Sequence, residues 1–344
     1  MQIRRSTEIL AYLAAVLIAA LAAPYARAHT SRASDPTAAA IVTPGHLYDR
    51  IAVIGASVSD GFGVFVSDPA NTQTIPSAVN LSDVLRAAAP TTSAPTTAPP
   101  TTATPILHHY ASGFFFSNPG SVGKSEIDRA IAAKPTLVLA IDFLFWYVYG
   151  TVDASGEVMQ DDAQRSANLE TGFAQLDRLL VNGTPVIIAD IPDMSDAIGK
   201  MLSANQVPTP AALEAVNARI TAWVATRPAV KLMKLRTLLA ALKAGGVIEV
   251  AGRVWDPTTL GQLLQRDQLH PTFAGTVIIA AGLIDLARAN DLSIDPPFVF
   301  EIGDVTLRAL DAKKSKSAKA KAAAAAASGA AKRSAPTASS PAPQ

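Results

Sequence analysis

Short apolar runs alternate with amphipathic stretches through the central part of this chain. Apolar runs predict strands at 50–55, within 106–116, and at 137–141, 185–191 and 230–235. Helical periodicity predicts helices at 81–88, 126–133, 166–181, 210–226 and 274–289. Continuous apolar strands separated by amphipathic helices are typical of a parallel sheet covered on both faces. The pattern therefore predicts an α/β domain, in which ligands bind beyond the carboxyl ends of the strands.

The first 28 residues have the organisation of an export signal. Arg4 and Arg5 precede an apolar stretch at 9–23, and Ala-Arg-Ala at 26–28 has the small-x-small form of a signal peptidase site. The alternative is a retained membrane anchor, but the apolar stretch is shorter than the ~20 residues that span a bilayer of about 30 Å. We expect residues 1–28 to be removed and the mature protein to be periplasmic or secreted.

Two further segments have compositions that oppose packing. Residues 88–105 are almost entirely Pro, Thr and Ala, which predicts a surface insertion or flexible loop within a domain spanning 29–311. Residues 312–344 are rich in Ala, Lys, Ser and Pro and predict a disordered tail. Within this tail the alanine run at 322–327 favours a transient helix, which would be marginal in isolation.

Charge distinguishes the tail from the domain. The tail holds six Lys and one Arg without an acid, whereas residues 1–311 hold 22 basic and 28 acidic residues. The tail therefore either associates weakly with anionic envelope polymers or is a solvated extension without a partner. A mildly acidic domain gives no reason to expect a nucleic-acid partner.

The chain contains no cysteine. This excludes disulfides, a thiolate metal site and a cysteine nucleophile. An exported domain without disulfides must be stabilised by a packed core, and 29–311 is long enough to form one.

Two short strings carry the candidate chemistry. Residues 55–61 read GASVSDG directly after the first predicted strand, which places Ser57 at an exposed corner. Residues 267–271 read DQLHP, with Asp267 three residues before His270. A serine hydroxyl becomes nucleophilic when a base takes its proton, and a carboxylate orients an imidazole for that task. Among the five histidines of the chain, His270 has an acid at a useful spacing.

These strings resemble the first and last blocks of the SGNH, or GDSL-type, serine hydrolases, Gly-Asp-Ser-x-x-x-Gly and Asp-x-x-His-Pro. The resemblance implies a three-layer α/β/α sandwich with a central parallel sheet, a flavodoxin-like fold. It also implies that Ser57 is the nucleophile, His270 the general base and Asp267 its orienting acid. The implied reaction is ester hydrolysis without a metal or organic cofactor, and Ala56 departs from the first block.

The resemblance further implies an oxyanion hole. Its donors would be the amide of Ser57 and a glycine amide of the second block, with Gly123 preferred and Gly120 the alternative. The third block normally supplies an Asn side chain, but residues 142–147 read DFLFWY. Loss of one oxyanion donor typically lowers turnover about 100- to 1000-fold.

Residues around Asp142 have two interpretations. Asp142 and the aromatic residues at 143 and 145–147 either orient the Ser57 loop and form an acyl pocket, or close the core at the end of a buried strand. Asp190 and Asp193 follow the next strand and shape the floor of the site without a chemical step. His108 and His109 are strand neighbours that face opposite ways, which argues against a metal pair.

Two other functional classes stay open. Residues 120–125 read GSVGKS, which is similar to the end of a phosphate-binding P-loop, but position 118 is Asn where that motif begins with Gly. An exported chain would also meet little nucleoside triphosphate.

The other class is a catalytically weak or inactive envelope-binding protein on the hydrolase fold, which the missing Asn permits. We expect an exported serine esterase that acts on a glycan acetyl, lipid or other acyl ester.

Overall fold

The computed structural model describes residues 47–68, 75–89, 105–159, 161–255, 258, 263–289 and 298–333. The predicted export signal, residues 90–104 of the predicted insertion, and residues 334–344 lie outside the described residues. The domain boundary at 29 also lies outside them.

Five parallel strands form the central sheet. They are β1 (Arg50–Val53), β4 (Ile106–His109), β5 (Leu137–Ala140), β6 (Val186–Ala189) and β7 (Val230–Met233). Their order across the sheet is β4-β1-β5-β6-β7, and every neighbouring pair is parallel. This is the strand order of the flavodoxin-like, doubly wound fold. The predicted α/β class is confirmed.

Helices cover both faces of the sheet. They are α1 (Ser57–Asp60), α2 (Leu81–Ala88), α3 (Pro119–Ala133), α4 (Phe145–Tyr149), α5 (Asp162–Leu180), α6 (Pro210–Ala225), α7 (Leu235–Lys243), α8 (Phe273–Arg288) and α9 (Ile302–Arg333). Within the described residues no helix combines the length and apolarity needed to cross a bilayer.

Alternate residues of the strands enter two separate cores. Ala52 of β1 packs with residues of α3, α5 and α6, including Ile127, Phe173 and Ile220. Ile51 packs on the opposite face with residues of α2, α8 and α9. Because successive strand side chains point to opposite faces, an unbroken apolar strand supplies both cores. The result is the predicted three-layer sandwich.

The sequence pattern did not predict the shortest strands and helices. They include two antiparallel pairs, β2 (Phe65–Val66) with β3 (Ser77–Ala78) and β8 (Ile248–Val250) with β9 (Arg253–Trp255). The helices α1 and α4 span four and five residues. Elements of this length contain too few residues to display a periodicity.

The prediction of a disordered tail is wrong for 312–333, which continue α9. Val305 and Ala309 are buried in the α2–α8 core and anchor the first turns of this helix. Lys313 then donates to Asp83 of α2 over 2.6 Å. Ala and Lys are strong helix formers, and an anchored start removes the cost of nucleation. A composition that is marginal as an isolated helix therefore extends a helix that tertiary packing has started.

The strand order brings two loops together at one edge of the sheet. Ser57 follows the end of β1 and Asp142 follows the end of β5. Since β1 and β5 are parallel neighbours, both loops leave the sheet at the same edge. The Ser57 corner is therefore built against residues of the third predicted strand.

Candidate active site

The corner that carries Ser57 depends on Gly55. This glycine has φ 133°, a conformation that L side chains rarely adopt. A Cβ added there would lie 2.2 Å from Oδ1 of Asp142 and 3.0 Å from Oγ of Ser59. Glycine therefore permits both the turn and the close approach of Asp142. Ser57 begins α1 immediately after this turn, with only 8% of its surface exposed.

Asp142 holds the first turn of α1. Its Oδ2 accepts the amides of Val58 and Ser59 over 2.8 and 3.2 Å, and its Oδ1 accepts the hydroxyl of Ser59 over 2.6 Å. The first amides of a helix have no partner within the helix. Ala56, at the N-cap position, supplies no side-chain bond. A carboxyl from the end of β5 thus performs the capping that the local sequence lacks.

Burial strongly affects the protonation of Asp142. Removal from water raises the pKa of this carboxyl, and the hydrogen bonds from Ser59 and the neighbouring amides oppose that rise only in part. The contacts support the interpretation that Asp142 orients the Ser57 loop. They also place a carboxyl where the SGNH resemblance implies an Asn donor.

A second buried carboxyl lies beneath the same corner. Oε2 of Glu126, on α3, accepts the amide of Gly55 over 2.7 Å, and the Glu126 side chain is fully buried. Burial above all, and then the nearby charge of Asp142, raise its pKa to about 9. Glu126 is therefore neutral at physiological pH. The sequence signal that could have revealed it is an acidic residue directly beside Ile127 on the buried face of α3.

The structure brings Ser57, His270 and Asp267 together. Oγ of Ser57 lies 2.9 Å from Nε2 of His270, although 213 positions separate the two residues. Nδ1 of His270 lies 2.7 Å from Oδ2 of Asp267. His270 is 1% exposed, so its imidazole is shielded from bulk water.

The turn before His270 fixes the orientation of Asp267. Its Oδ1 accepts the amides of Leu269 and His270 over 2.9 and 3.0 Å, while Gln268 adopts a left-handed φ of 59°. Burial raises the pKa of Asp267, but the bond from the His270 ring and the two amide bonds outweigh burial and leave that pKa lowered. The ionised Asp267 carboxylate can accept hydrogen bonds but cannot donate one.

This charge state determines the tautomer of His270. Because Asp267 is an acceptor, Nδ1 of a neutral His270 ring carries the hydrogen and Nε2 is free to accept the hydroxyl proton of Ser57. The ring of Phe62, two residues after the end of α1, lies over His270 with 4.6 Å between ring centroids. Phe62 is 46% exposed and forms the boundary between the imidazole and solvent.

An apolar pocket of about 40 Å3 opens beside Ser57. It is lined by residues that follow β1, β5, β6 and β7, together with one residue of the His270 turn: Ser57, Val58, Ile141, Asp142, Phe145, Asp190, Ile191, Pro192, Met194, Leu235 and Leu269. The pocket therefore lies beyond the carboxyl ends of the strands, where ligands bind in doubly wound folds. Its described lining contains no Asn, Gln, Lys or Arg.

The structure places Gly123, the predicted second-block donor, inside helix α3. Gly123 is the fifth residue of α3, where the amide donates to the carbonyl four residues earlier. An added Cβ at Gly123 would meet Tyr147, Phe115 and Phe143, so this glycine permits packing in the core. The helix begins earlier than predicted because Asn118 caps it, accepting the amide of Ser121 over 2.9 Å.

Gly120 also has a packing role. A Cβ there would lie 2.0 Å from the carbonyl oxygen of Ala154. Neither Gly120 nor Gly123 lines the described pocket beside Ser57. Of the residues predicted to supply oxyanion donors, only Ser57 lines the described pocket, and no described residue accepts a hydrogen bond from its amide.

The P-loop alternative is wrong because the residues of that motif lie within helix α3. Residues 120–125 form helix rather than a loop that wraps a phosphate, and Nζ of Lys124 donates to Asp128 over 2.7 Å on the exposed face of α3. A phosphate-binding loop needs free backbone amides arranged around a cavity. A lysine paired one turn along its own helix supplies none of this.

Members of the aromatic run divide between the core and the pocket beside Ser57. Phe143 and Tyr147 pack with Phe115 in the core, whereas Phe145 lines the pocket. Asp190 also lines the pocket and accepts the amide of Arg236 over 2.7 Å.

Asp193 lies outside the described pocket lining, and its Oδ1 accepts the amide of Ser195 over 2.8 Å. The prediction that it shapes the floor of the site is therefore not supported by these contacts.

A further histidine contact was missed by sequence spacing. Nε2 of His109 lies 2.9 Å from Oδ1 of Asp60, and Nδ1 lies 3.3 Å from the buried hydroxyl of Ser82. The other Asp60 oxygen accepts the amide of Gly113 over 2.9 Å. These bonds tie the end of α1 to β4 and α2. No described group of three or more His, Asp or Glu residues is arranged to hold a metal ion.

No protein-family profile and no curated protein sequence matches the chain. Among solved structures, it is similar to a proposed acylhydrolase from Bacteroides fragilis NCTC 9343, with 12% identity, a TM-score of 0.42, and coverage of 70% of this chain and 88% of that one. It is also similar to a gut microbial diltiazem-metabolizing enzyme, with 11% identity, a TM-score of 0.42, and coverage of 69% and 46%.

A third similar structure is the psychrotrophic esterase EstA from a Pseudoalteromonas species, inhibited by monoethylphosphonate. Its identity is 14% and its TM-score 0.38, with coverage of 70% of this chain and 97% of that one. At such identities and TM-scores, these likenesses say nothing by themselves about the reaction of this chain.

Substitution of Gly55 by Ala tests the close approach of Asp142. We expect Gly55→Ala to lower the free energy of unfolding by at least about 2 kcal/mol more than Gly183→Ala does. Both glycines have positive φ, but a Cβ at Gly183 meets nothing within 4 Å. Urea unfolding of both variants measures the difference, and equal losses would contradict the constraint assigned to Asp142.

The buried carboxyl of Glu126 predicts a pH dependence of stability. Between its ordinary pKa of 4.5 and its folded pKa of about 9, the folded protein binds one proton that the unfolded chain releases. Stability should therefore fall as pH rises through this window, with a contribution of about 1.4 kcal/mol per pH unit. Glu126→Gln removes this contribution.

Urea unfolding between about pH 5.5 and about pH 8 measures the contribution of Glu126 to the pH dependence of stability. Wild type should lose more stability than Glu126→Gln across this range, whereas the exposed Glu157→Gln should follow wild type. A Glu126→Gln slope equal to that of wild type would show that Glu126 is ionised in the folded protein.

Proposed function

We propose that this chain is a serine hydrolase that cleaves carboxylic esters. The observation that carries the proposal is the series of contacts from Ser57 through the buried His270 to Asp267. Nucleophile, base and orienting acid lie within hydrogen-bond distance in the order that this chemistry requires. The resemblance of the 55–61 and 267–271 strings to SGNH hydrolases supports the same assignment.

In the proposed reaction, Oγ of Ser57 attacks the ester carbonyl carbon while Nε2 of His270 accepts the hydroxyl proton. Asp267 stabilises the imidazolium that forms. The tetrahedral intermediate collapses, and His270 returns the proton to the departing alcohol, which leaves an acyl group on Ser57. A water molecule then attacks this acyl group with His270 as the base, which releases the acid and restores Ser57.

Stabilisation of the oxyanion is the weak part of this machinery. The amide of Ser57 is available as a donor, but Asp142 stands where an Asn side chain would donate. Absence of one donor corresponds to a loss of about 100- to 1000-fold in turnover. This observation favours a second candidate function, an envelope-binding protein with little catalysis. Both proposed functions include export of the protein through the signal at residues 1–28.

Labelling of the full chain with a fluorophosphonate probe tests the nucleophile. Such a probe forms a covalent bond to an activated serine oxygen with loss of fluoride. We expect stoichiometric labelling of wild type and of Ser125→Ala, which removes an exposed hydroxyl on α3, and none of Ser57→Ala. Labelling that persists in Ser57→Ala would remove Ser57 as the nucleophile, and an inert folded wild type would favour the binding protein.

Asp267→Asn tests the orienting acid. An Asn amide facing Nδ1 stabilises the other tautomer, in which Nε2 carries the hydrogen and no longer accepts the Ser57 proton. We expect kcat for p-nitrophenyl acetate to fall about 100- to 10,000-fold with little change in KM. Asp161→Asn preserves a helix cap and should retain wild-type kcat. An active Asp267→Asn variant would exclude the role assigned to Asp267.

A further inference from the structure

The turns that carry Ser57 and His270 lie 213 positions apart in the chain. Ser57 follows β1, whereas His270 precedes α8. The stacking of Phe62 on the imidazole is one contact that joins the two turns. Aromatic pairs are favourable over a range of centroid distances, about 4.5–7 Å, so stacking alone does not fix two atoms at hydrogen-bond distance.

The side-chain amide of Gln265 joins the two turns directly. Its Nε2 donates to the carbonyl of Phe62 over 2.8 Å and to the carbonyl of Pro271 over 2.8 Å. The backbone amide of Phe62 donates to the carbonyl of Ser57 over 2.9 Å, and Pro271 directly follows His270. One planar group therefore holds the backbone on both sides of the contact between Ser57 and His270.

The chemistry of the two partners requires the nitrogen of Gln265. A carbonyl oxygen only accepts hydrogen bonds, and a side-chain amide nitrogen carries two hydrogens. Both hydrogens of Gln265 are thus used, one in each turn. A Glu carboxylate of the same shape would donate to neither carbonyl, and a Met side chain of similar length carries no donor.

Further contacts hold Gln265 itself in place. Its backbone amide donates to the carbonyl of His270 over 2.9 Å, and the neighbouring Leu264 forms an antiparallel bridge with Pro271. On the side of the Ser57 turn, a Cβ at Gly63 would lie 2.6 Å from Oε1 of Gln265. Glycine at position 63 therefore lets the amide group approach the chain beside Phe62.

We propose that Gln265 is a positioning residue that keeps Oγ of Ser57 and Nε2 of His270 within hydrogen-bond distance. The inference rests on the proposed function and adds a residue to its machinery. A misplacement of about 1 Å lowers rates about 100-fold. Loss of the bridge therefore slows attack by Ser57, whereas the contact of His270 with Asp267 is formed within one turn and does not depend on the bridge.

The rate at which a fluorophosphonate modifies Ser57 in the full chain tests the bridge. Oγ bonds to phosphorus, fluoride leaves, and His270 accepts the proton. We expect the second-order rate constant to fall about 10- to 100-fold in Gln265→Met and in Gln265→Glu. Gln175→Glu is the matched control and should react at the wild-type rate, because Oε1 of Gln175 accepts a bond from Arg178 over 2.8 Å, as a Glu oxygen would.

Two further measurements separate positioning from a contribution to stability. For p-nitrophenyl acetate, kcat per folded molecule should fall while KM stays within about twofold, because Gln265 does not line the described pocket. Urea unfolding gives the folded fraction of each variant. Gln265→Lys returns N–H donors on a flexible stem and should react faster than Gln265→Met.

Folded Gln265→Met and Gln265→Glu variants that react at the wild-type rate would overturn the inference. They would leave the proposed hydrolase intact, provided that labelling is lost in Ser57→Ala. A wild type without Ser57-dependent labelling would overturn the proposed function and the inference together.

NMR of the wild type decides the case in which neither variant folds. Both side-chain amide hydrogens of Gln265 should exchange with water more slowly than those of Gln175, whose oxygen makes the contact with Arg178. Rapid exchange of either Gln265 hydrogen would exclude the bridge.

Discussion

The contact between the Asp142 carboxyl and the first turn of α1 is the constraint on which the candidate site depends. Three hydrogen bonds join this carboxyl to Val58 and Ser59, and they hold Ser57 between them and the end of β1. The contact requires β1 and β5 to be neighbours in the sheet. It also requires glycine at position 55, where any side chain would occupy the space of the carboxyl oxygen.

A carboxyl in this position has an electrostatic consequence. In the proposed hydrolysis, negative charge would develop on the substrate oxygen during attack by Ser57, and an ionised Asp142 would disfavour that charge where a neutral amide donor would stabilise it. Two features limit the total charge beneath the corner. Burial raises the pKa of Asp142, and Glu126, which bonds to Gly55, is neutral at physiological pH. The same corner is thus held by several hydrogen bonds, while the described lining of the pocket beside it contains no Asn or Gln side chain.

Local residue patterns accounted for some parts of the structure and failed for others in definable ways. The apolar strands were predictable because burial on both faces leaves an unbroken apolar run. The position of Gly123 was not, since Asn118 and Pro119 start α3 earlier than its periodic segment suggests. The helix through 312–333 was missed because its first turns are stabilised by packing against the domain rather than by its own composition.

The sequence by itself determined the five strands, the corner that carries Ser57, and the turn in which Asp267 meets His270. Each depends on residues that are near neighbours in the chain, so each leaves a readable pattern. The tertiary structure alone decided that Ser57 lies 2.9 Å from His270, that Asp142 caps α1, and that an apolar pocket opens beside Ser57. These contacts join residues 84 to 213 positions apart. Contacts at such separations arise from strand order and helix packing, which no local spacing records.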